Sequence, residues 1–312
     1  MTAGGAGAAE AAQVDAAYPA ELQEKVDAYL EGLRFAAEPG TARLEAAMRY
    51  SLLAGGKRIR PVLALATAEA VGRPPDDVLP LAAAIEMIHT YSLIHDDLPA
   101  MDDDELRRGK PTCHVAFGED VAILAGDGLF AEGLRLALDQ QRGEPAHVIA
   151  AILEVVTAAG THGMVGGQFL DVAGTETDTR AGGARESTIT LRHLHELKTG
   201  ALIAASVASV LVLEGLDGPA TIPFRRFAAE LGVVFQIVDD ILDVTGDEAE
   251  LGKPRGSDER HGKATYVSVF GLDRARQLAK ESHAAARAAL AEADGATGRL
   301  GQIADYILTR TT

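Results

Sequence analysis

Apolar residues recur along this chain at spacings of three and four rather than two. Leu81, Ile85, Ile88 and Ser92 mark one such stripe, and Leu231, Val234, Phe235, Val238 and Leu242 mark another. That period places them on one face of a helix, and abundant alanine and leucine with short β-branched runs favour the same state. Breaks fall at 72–75, 142–145, 174–186, 215–223 and 246–258, which cuts the chain into helices of ordinary or generous length. No strand-turn-strand pattern, fixed repeat or composition shift marks a second domain. The pattern predicts one all-α, single-domain bundle over residues 19–312. The first eighteen residues are small, lack the basic start and apolar stretch of a signal peptide, and are expected to be disordered. The longest strongly apolar run, Ala201–Leu213, is too short for a bilayer and contains Ser206 and Ser209, so it reads as a buried core helix.

Composition narrows the class. A chain of 312 residues that is 47% hydrophobic can bury a large core. A formal charge of -17 argues against a nucleic-acid backbone or an anionic membrane as the main partner, and makes any tight group of basic residues unusual. Cys113 is the only cysteine, which excludes an intrachain disulfide and a cysteine zinc site and makes a reducing cytoplasm the simplest compartment.

Two aspartate clusters stand out against this background, DDLPAMDD at 96–103 and DDILD at 239–243. Repeated carboxylates suit Mg2+, a hard ion that takes oxygen ligands and shares them with substrate phosphates. On a helix Asp239 and Asp243 share a face, with Gln236 one turn earlier. A solvated acidic helix end would look similar, but the preceding LGVVFQIV is almost wholly apolar and calls for burial. Asp96 and Asp102 would lie about 120° out of phase on a straight helix. Pro99 between them is expected to end or bulge the helix and return Asp102 to the same side. His89, seven residues before Asp96, falls on nearly the same face.

Basic residues gather at GGKRIRP (55–61), where Lys57 and Arg60 can point the same way, and at RRGKP (107–111) directly after the first cluster. Lys198 and Thr199 in HELKTG, Lys253 in LGKP and Lys263 in HGKATY each stand near a turn signal. Arginine forks and lysine charges are what pyrophosphate oxygens require, so the set implies two anionic ligands.

GGKRIRP, EMIHTYSLIHDDLPAMDDDELRRGKPTCH, ILAGD, GGQFLD, HELKTGALI, FQIVDDILDVTGD and LGKPRGSD, in this order, resemble the trans-isoprenyl diphosphate synthases, from about Tyr50 to the C-terminus. The likeness is strongest to the bacterial, farnesyl-forming members. It implies an isoprenoid-synthase bundle around a deep central pocket, and a homodimer. It also implies Mg2+, three ions per site, on Asp96, Asp97 and Asp102 from one side and Asp239, Asp240 and Asp243 from the other. Lys57, Arg60, His89 and Arg108 match positions that hold the diphosphate of isopentenyl diphosphate. Arg107, Lys198, Thr199, Gln236, Lys253 and Lys263 match positions around the allylic diphosphate, with Arg107, Lys198, Thr199 and Gln236 as the expected catalytic group. Gln168 and Asp171 match the family's GQxxD. The implied reaction is ionisation of the allylic C–O bond, head-to-tail attack by isopentenyl diphosphate and loss of a proton.

Product length is expected to depend on Tyr91 and Ser92. Tyr91 lies five residues before Asp96, about 7 Å lower along a helix axis, where a growing chain would meet its ring. Phe117 and Phe130 are further candidates for shaping the pocket. Farnesyl diphosphate is the expected product and geranylgeranyl diphosphate the second choice. A class I terpene cyclase would carry a different second motif from DDILD, and a metal phosphohydrolase using His95 and Asp96 would need further histidines. A non-catalytic synthase subunit would have lost aspartates that this chain keeps.

Overall fold

Proline in a helix's first turn gives up no intrahelical donor, and it opens three of the long helices here. Pro80 does so in α4 (Leu79–Asp96), Pro145 in α7 (Pro145–Ala159) and Pro223 in α10 (Ile222–Thr245). The computed structural model describes residues 18–35, 38–172, 191–246 and 263–310. Of the tail expected to be disordered, Tyr18 is described and is held against the bundle by its hydroxyl; residues 1–17, the 174–186 break and Lys253 lie outside the described residues. Further helices among the described residues include α1 (Ala20–Gly32), α2 (Ala42–Leu52), α3 (Ile59–Ala70), α5 (Cys113–Phe117), α6 (Glu119–Gln140) and α8 (Met164–Val172). They continue with α9 (Ala201–Leu213), α11 (Tyr266–Phe270), α12 (Leu272–Ala291) and α13 (Gly298–Thr309).

The all-α bundle expected from the sequence is observed. The strands among the described residues are a two-residue antiparallel pair, β1 (Leu106–Arg107) and β2 (Lys110–Pro111), which makes RRGKP a hairpin that the sequence pattern did not announce.

Helix α4 runs through the centre, with Leu81, Ala82, Ala83, Ala84, Ile85, Met87 and Ile88 all buried. Its alanines keep it thin enough for neighbours to approach closely. Helix α6 meets it on glycine: a Cβ at Gly133 would lie 3.2 Å from the Ala84 carbonyl oxygen and 3.4 Å from Met87 Cβ. Helix α9 is buried as expected, and the hydroxyl of Ser206 donates to the Leu202 carbonyl at 2.9 Å, which satisfies it inside the core. Helix α10 packs chiefly on α12, and Phe224 and Phe227 are fully buried, each contributing about 1.5–3 kcal/mol of hydrophobic stabilisation.

Among the described residues, three helical stretches are long and apolar enough to cross a membrane by length and composition: Pro75–Asp96, Pro145–Val172 and Leu191–Leu213. The last is longer than the apolar run that the sequence suggested, because helical residues precede Ala201. In two of them 61% of the apolar 18-residue window is buried within the bundle, and in Pro145–Val172 39%.

Candidate active site

Helix α4 stops at Asp96, three residues before Pro99, and the chain then folds back on itself. The Asp102 amide donates to the Asp96 carbonyl at 2.9 Å, and the Asp103 amide to the Leu98 carbonyl at 3.1 Å, with Asp103 in the left-handed region at φ 52°. Pro99 thus does what its ring chemistry requires, and Asp102 returns close enough to Asp96 for the two charges to interact. Burial lifts the Asp96 carboxyl to about 6, with Asp102 adding to the rise and Lys198 opposing it. Asp97 is placed differently. Its two oxygens accept from Arg107 at 2.6–3.0 Å, so this expected metal ligand is already engaged by a guanidinium.

GGKRIRP does not form the helical face that its spacing suggested. Arg58 sits at φ 53° and starts α3 at Ile59, so Lys57 precedes the helix that carries Arg60. Arg58 is 4% exposed and bonds Glu86 at 2.8 Å, Asp27 at 2.9 Å and the Leu52 carbonyl at 2.8 Å. The loop is also held from α1's end: Tyr18 donates to the Lys57 carbonyl at 2.6 Å and Gln23 to that of Gly56 at 3.0 Å. Arg108, at φ 54° in the β1–β2 turn, donates to the Gly55 carbonyl. Its guanidinium lies where a Cβ on Gly56 would be, 2.6 Å from Arg108 Cζ, so this glycine is required by close approach as well as by its φ of 112°.

Arg60 and Arg108 both come near enough to His89, and Arg108 to Arg60, for their charges to count. Burial, reinforced by Arg108 and resisted by Glu86, brings Arg60 down to about 10. Burial together with the Arg60 and Arg108 charges keeps the His89 imidazole well below its ordinary value, hence neutral. Cations crowded in this way call for an anion.

The opposite wall is built on α8, α10 and a π turn at Glu196–Gly200 that leads into α9. A Cβ on Gly167 of α8 would lie 2.3 Å from the Lys198 amide nitrogen, so only glycine lets α8 reach this turn. Lys198 pairs with Asp171, and Lys263 reaches Asp102 at 2.8 Å and Asp171 at 4.0 Å. Thr199 donates to Gln236 at 2.9 Å, and Gln236 to Asp240 at 2.7 Å; the Tyr266 amide donates to the second Asp240 oxygen at 2.7 Å. Both Asp240 oxygens therefore accept from protein donors. Asp239 is half-exposed and lies 3.4 Å from Arg310, whose guanidinium stacks 4.3 Å from the Phe235 ring. Among the described residues, no three carboxylate, histidine or cysteine side chains come together as a metal cage.

Between these walls lies a mainly apolar cavity of about 410 Å3, bounded by Tyr91, Ser92, Met164, Val165, Phe169 and Val172, with Arg60, His89, Asp96 and Lys198 on its lining. The Gln168 amide lines it too, and neither of its polar atoms has a hydrogen-bond partner among the described residues. The Tyr91 ring packs edge-on against Phe130, with centroids 5.2 Å apart, and against His95 at 5.7 Å. Phe117 packs instead against Tyr50. Sequence reasoning missed Arg58, Glu86 and Arg310, whose partners are distant in the chain. A lone arginine near the end of an acidic chain was the one available hint of the last.

A family model for polyprenyl synthetase matches residues 41–305. The chain belongs to the polyprenyl synthetase family. As a polyprenyl synthetase it is a prenyltransferase. It is similar to the farnesyl diphosphate synthase of Geobacillus stearothermophilus, 44% identical over 93% of this chain and 94% of the relative. It is also similar to the chloroplastic geranylgeranyl pyrophosphate synthase of Capsicum annuum, 46% identical over 85% of this chain and 70% of that one. Among solved structures, the geranyltransferase from Helicobacter pylori complexed with magnesium and isoprenyl diphosphate superposes with a TM-score of 0.79 at 32% identity, covering 93% of this polyprenyl synthetase and 94% of that chain.

Proposed function

We propose that this polyprenyl synthetase condenses isopentenyl diphosphate with dimethylallyl or geranyl diphosphate to give farnesyl diphosphate. The observation that carries the reading is the apolar cavity bounded by the Tyr91 ring, with buried cations and the Asp96 carboxylate on its lining. The donor set fits Mg2+, because carboxylate oxygens on opposite walls can each contribute one or two ligands while substrate phosphates complete the shell. Asp96 and Asp102 would hold it on one side and Asp239 and Asp243 on the other, three ions in all. Asp97 and Asp240 would instead set the positions of Arg107 and Gln236. Bound there, Mg2+ supplies Lewis-acid stabilisation of the charge on the departing diphosphate.

The chain's own groups do the rest. Lys57, Arg60, Arg108 and neutral His89 hold isopentenyl diphosphate; Arg107, Lys198, Lys253 and Lys263 neutralise the allylic diphosphate as its C–O bond breaks. Thr199 and Gln236, joined by their hydrogen bond, present dipoles to the allylic cation. The double bond of isopentenyl diphosphate then attacks, a C–C bond forms, and the released diphosphate takes the proton. Most of the cavity's surface is apolar, which suits a carbocation.

The similarity to a geranylgeranyl synthase favours one second reading, a twenty-carbon product. Exposed apolar residues on α6 and α7, including Leu138, Ile149 and Leu153, fit a homodimer interface. A single, buried cysteine and water-soluble substrates fit a reducing cytoplasm. Purified enzyme given labelled isopentenyl diphosphate, geranyl diphosphate and Mg2+ should yield the fifteen-carbon product by chromatography, and Tyr91→Ala should shift it to twenty carbons. A wild-type product of twenty carbons would select the second reading, and no elongation would sink both.

A further inference from the structure

The motif ILAGD at 123–127 lies on α6, and none of the roles above uses it. It faces the residue just ahead of Asp96. His95 Nε2 lies 3.1 Å from the Ile123 carbonyl oxygen, which can only accept, so this nitrogen carries the proton and donates. The Nε2 end of the ring then sits against Gly126, where a Cβ would lie 2.2 Å from Nε2 and 2.5 Å from Cδ2. Asp127 Oδ1 is 3.9 Å away from the same nitrogen. One turn earlier on α4 is Tyr91, and one turn later on α6 is Phe130. The Tyr91 ring meets both His95 and Phe130, edge-on in each case. Both His95 and Tyr91 line the cavity.

We infer that His95, seated on the bare backbone of Gly126, is a positioning residue that fixes the Tyr91 ring and so helps to set product length. The inference rests on the reading of Tyr91 as the stop for the growing chain. The physical point is that the Tyr91 ring can turn to another rotamer unless its neighbours fill the space it would turn into. Phe130 is a neighbour by apolar contact alone. His95 is held in place by a hydrogen bond and by a close approach that no side chain other than hydrogen permits. Gly126→Ala puts a methyl group where the imidazole lies; the ring, being the movable partner, must leave, and Tyr91 loses a neighbour.

Three variants, each checked for helicity, are assayed for product length with geranyl diphosphate, isopentenyl diphosphate and Mg2+. Gly126→Ala and His95→Ala should each raise the ratio of twenty- to fifteen-carbon product about ten-fold, the order of effect that a small change of room in an apolar pocket gives. The double variant should match His95→Ala alone, because the new methyl group then has nothing to displace. His95→Ala keeps the test decisive if Gly126→Ala does not fold. The inference is overturned if Tyr91→Ala lengthens the product while His95→Ala leaves it unchanged, or if Gly126→Ala shifts it equally with and without the imidazole. A Tyr91→Ala enzyme that still stops at fifteen carbons overturns instead the reading on which the inference stands.

Discussion

Arg58 shows how a residue without a place on the substrate can govern two that have one. It is a left-handed, non-glycine residue wedged between Lys57 and Arg60, and it persists there because Glu86, itself 3% exposed, and Asp27 hold its guanidinium. Arg58→Met would leave Glu86 buried without its partner, which costs about 3–5 kcal/mol. Urea unfolding should show that loss. The KM for isopentenyl diphosphate should rise more than kcat falls, since only the aim of Lys57 and Arg60 changes. The residues expected to touch diphosphate were legible because they sit in short motifs of unusual charge. Arg58 stood in the same motif and was not legible as a scaffold, since its meaning lies in Glu86, twenty-eight residues on, and in Asp27, thirty-one residues back. The same distance hid the doubly engaged oxygens of Asp97 and Asp240: sequence counts carboxylates but does not show which of them already have donors.

At the level of elements, proline and glycine signals placed the breaks at 72–75, 142–145 and 215–223, and Pro99 broke α4 between the aspartates, while the breaks at 33–41, 160–163 and 292–297 went unread. Two local forms escaped. The β1–β2 hairpin has too few residues to show a period, and the π turn at Glu196–Gly200 differs from α-helix only in which carbonyl each amide reaches. That turn sets the height of Lys198, and α8 presses on it at Gly167. Gly167→Ala should push α8 away from Lys198 and lower turnover by at least about ten-fold, the penalty for roughly 1 Å of misplacement at a reacting centre. Far-UV circular dichroism should remain near wild type; a loss of helicity in step with turnover would count against this account.

Across the whole molecule, two histidines make stability depend on pH. Burial brings His195 down to about 4, with both ring nitrogens lacking hydrogen-bond partners among the described residues, and His89 is depressed as well. The unfolded chain, whose histidines titrate at about 6.5, then binds protons that the fold refuses. The stability linked to His195 is complete above pH 6.5 and is lost as pH falls towards 4, reaching a loss of about 2 kcal/mol at pH 5. Urea midpoints at pH 7.5 and 5 should show the drop, and His195→Phe, which keeps the stack on Tyr266, should reduce it. Assembly is tested separately. Ile149 and Leu153, each 62% exposed, share one face of α7, and replacing both with glutamate should halve the mass seen by light scattering.

The glycine contact between α4 and α6 has a consequence for how this enzyme can change. Where a glycine meets a carbonyl there is no side chain between the helices to trim, so substitution at that contact makes no extra room between them. The depth of the pocket is then set by which rings stand in it. Substitution of those rings should move the product distribution towards one more five-carbon unit while the separation of the two helices stays as it is.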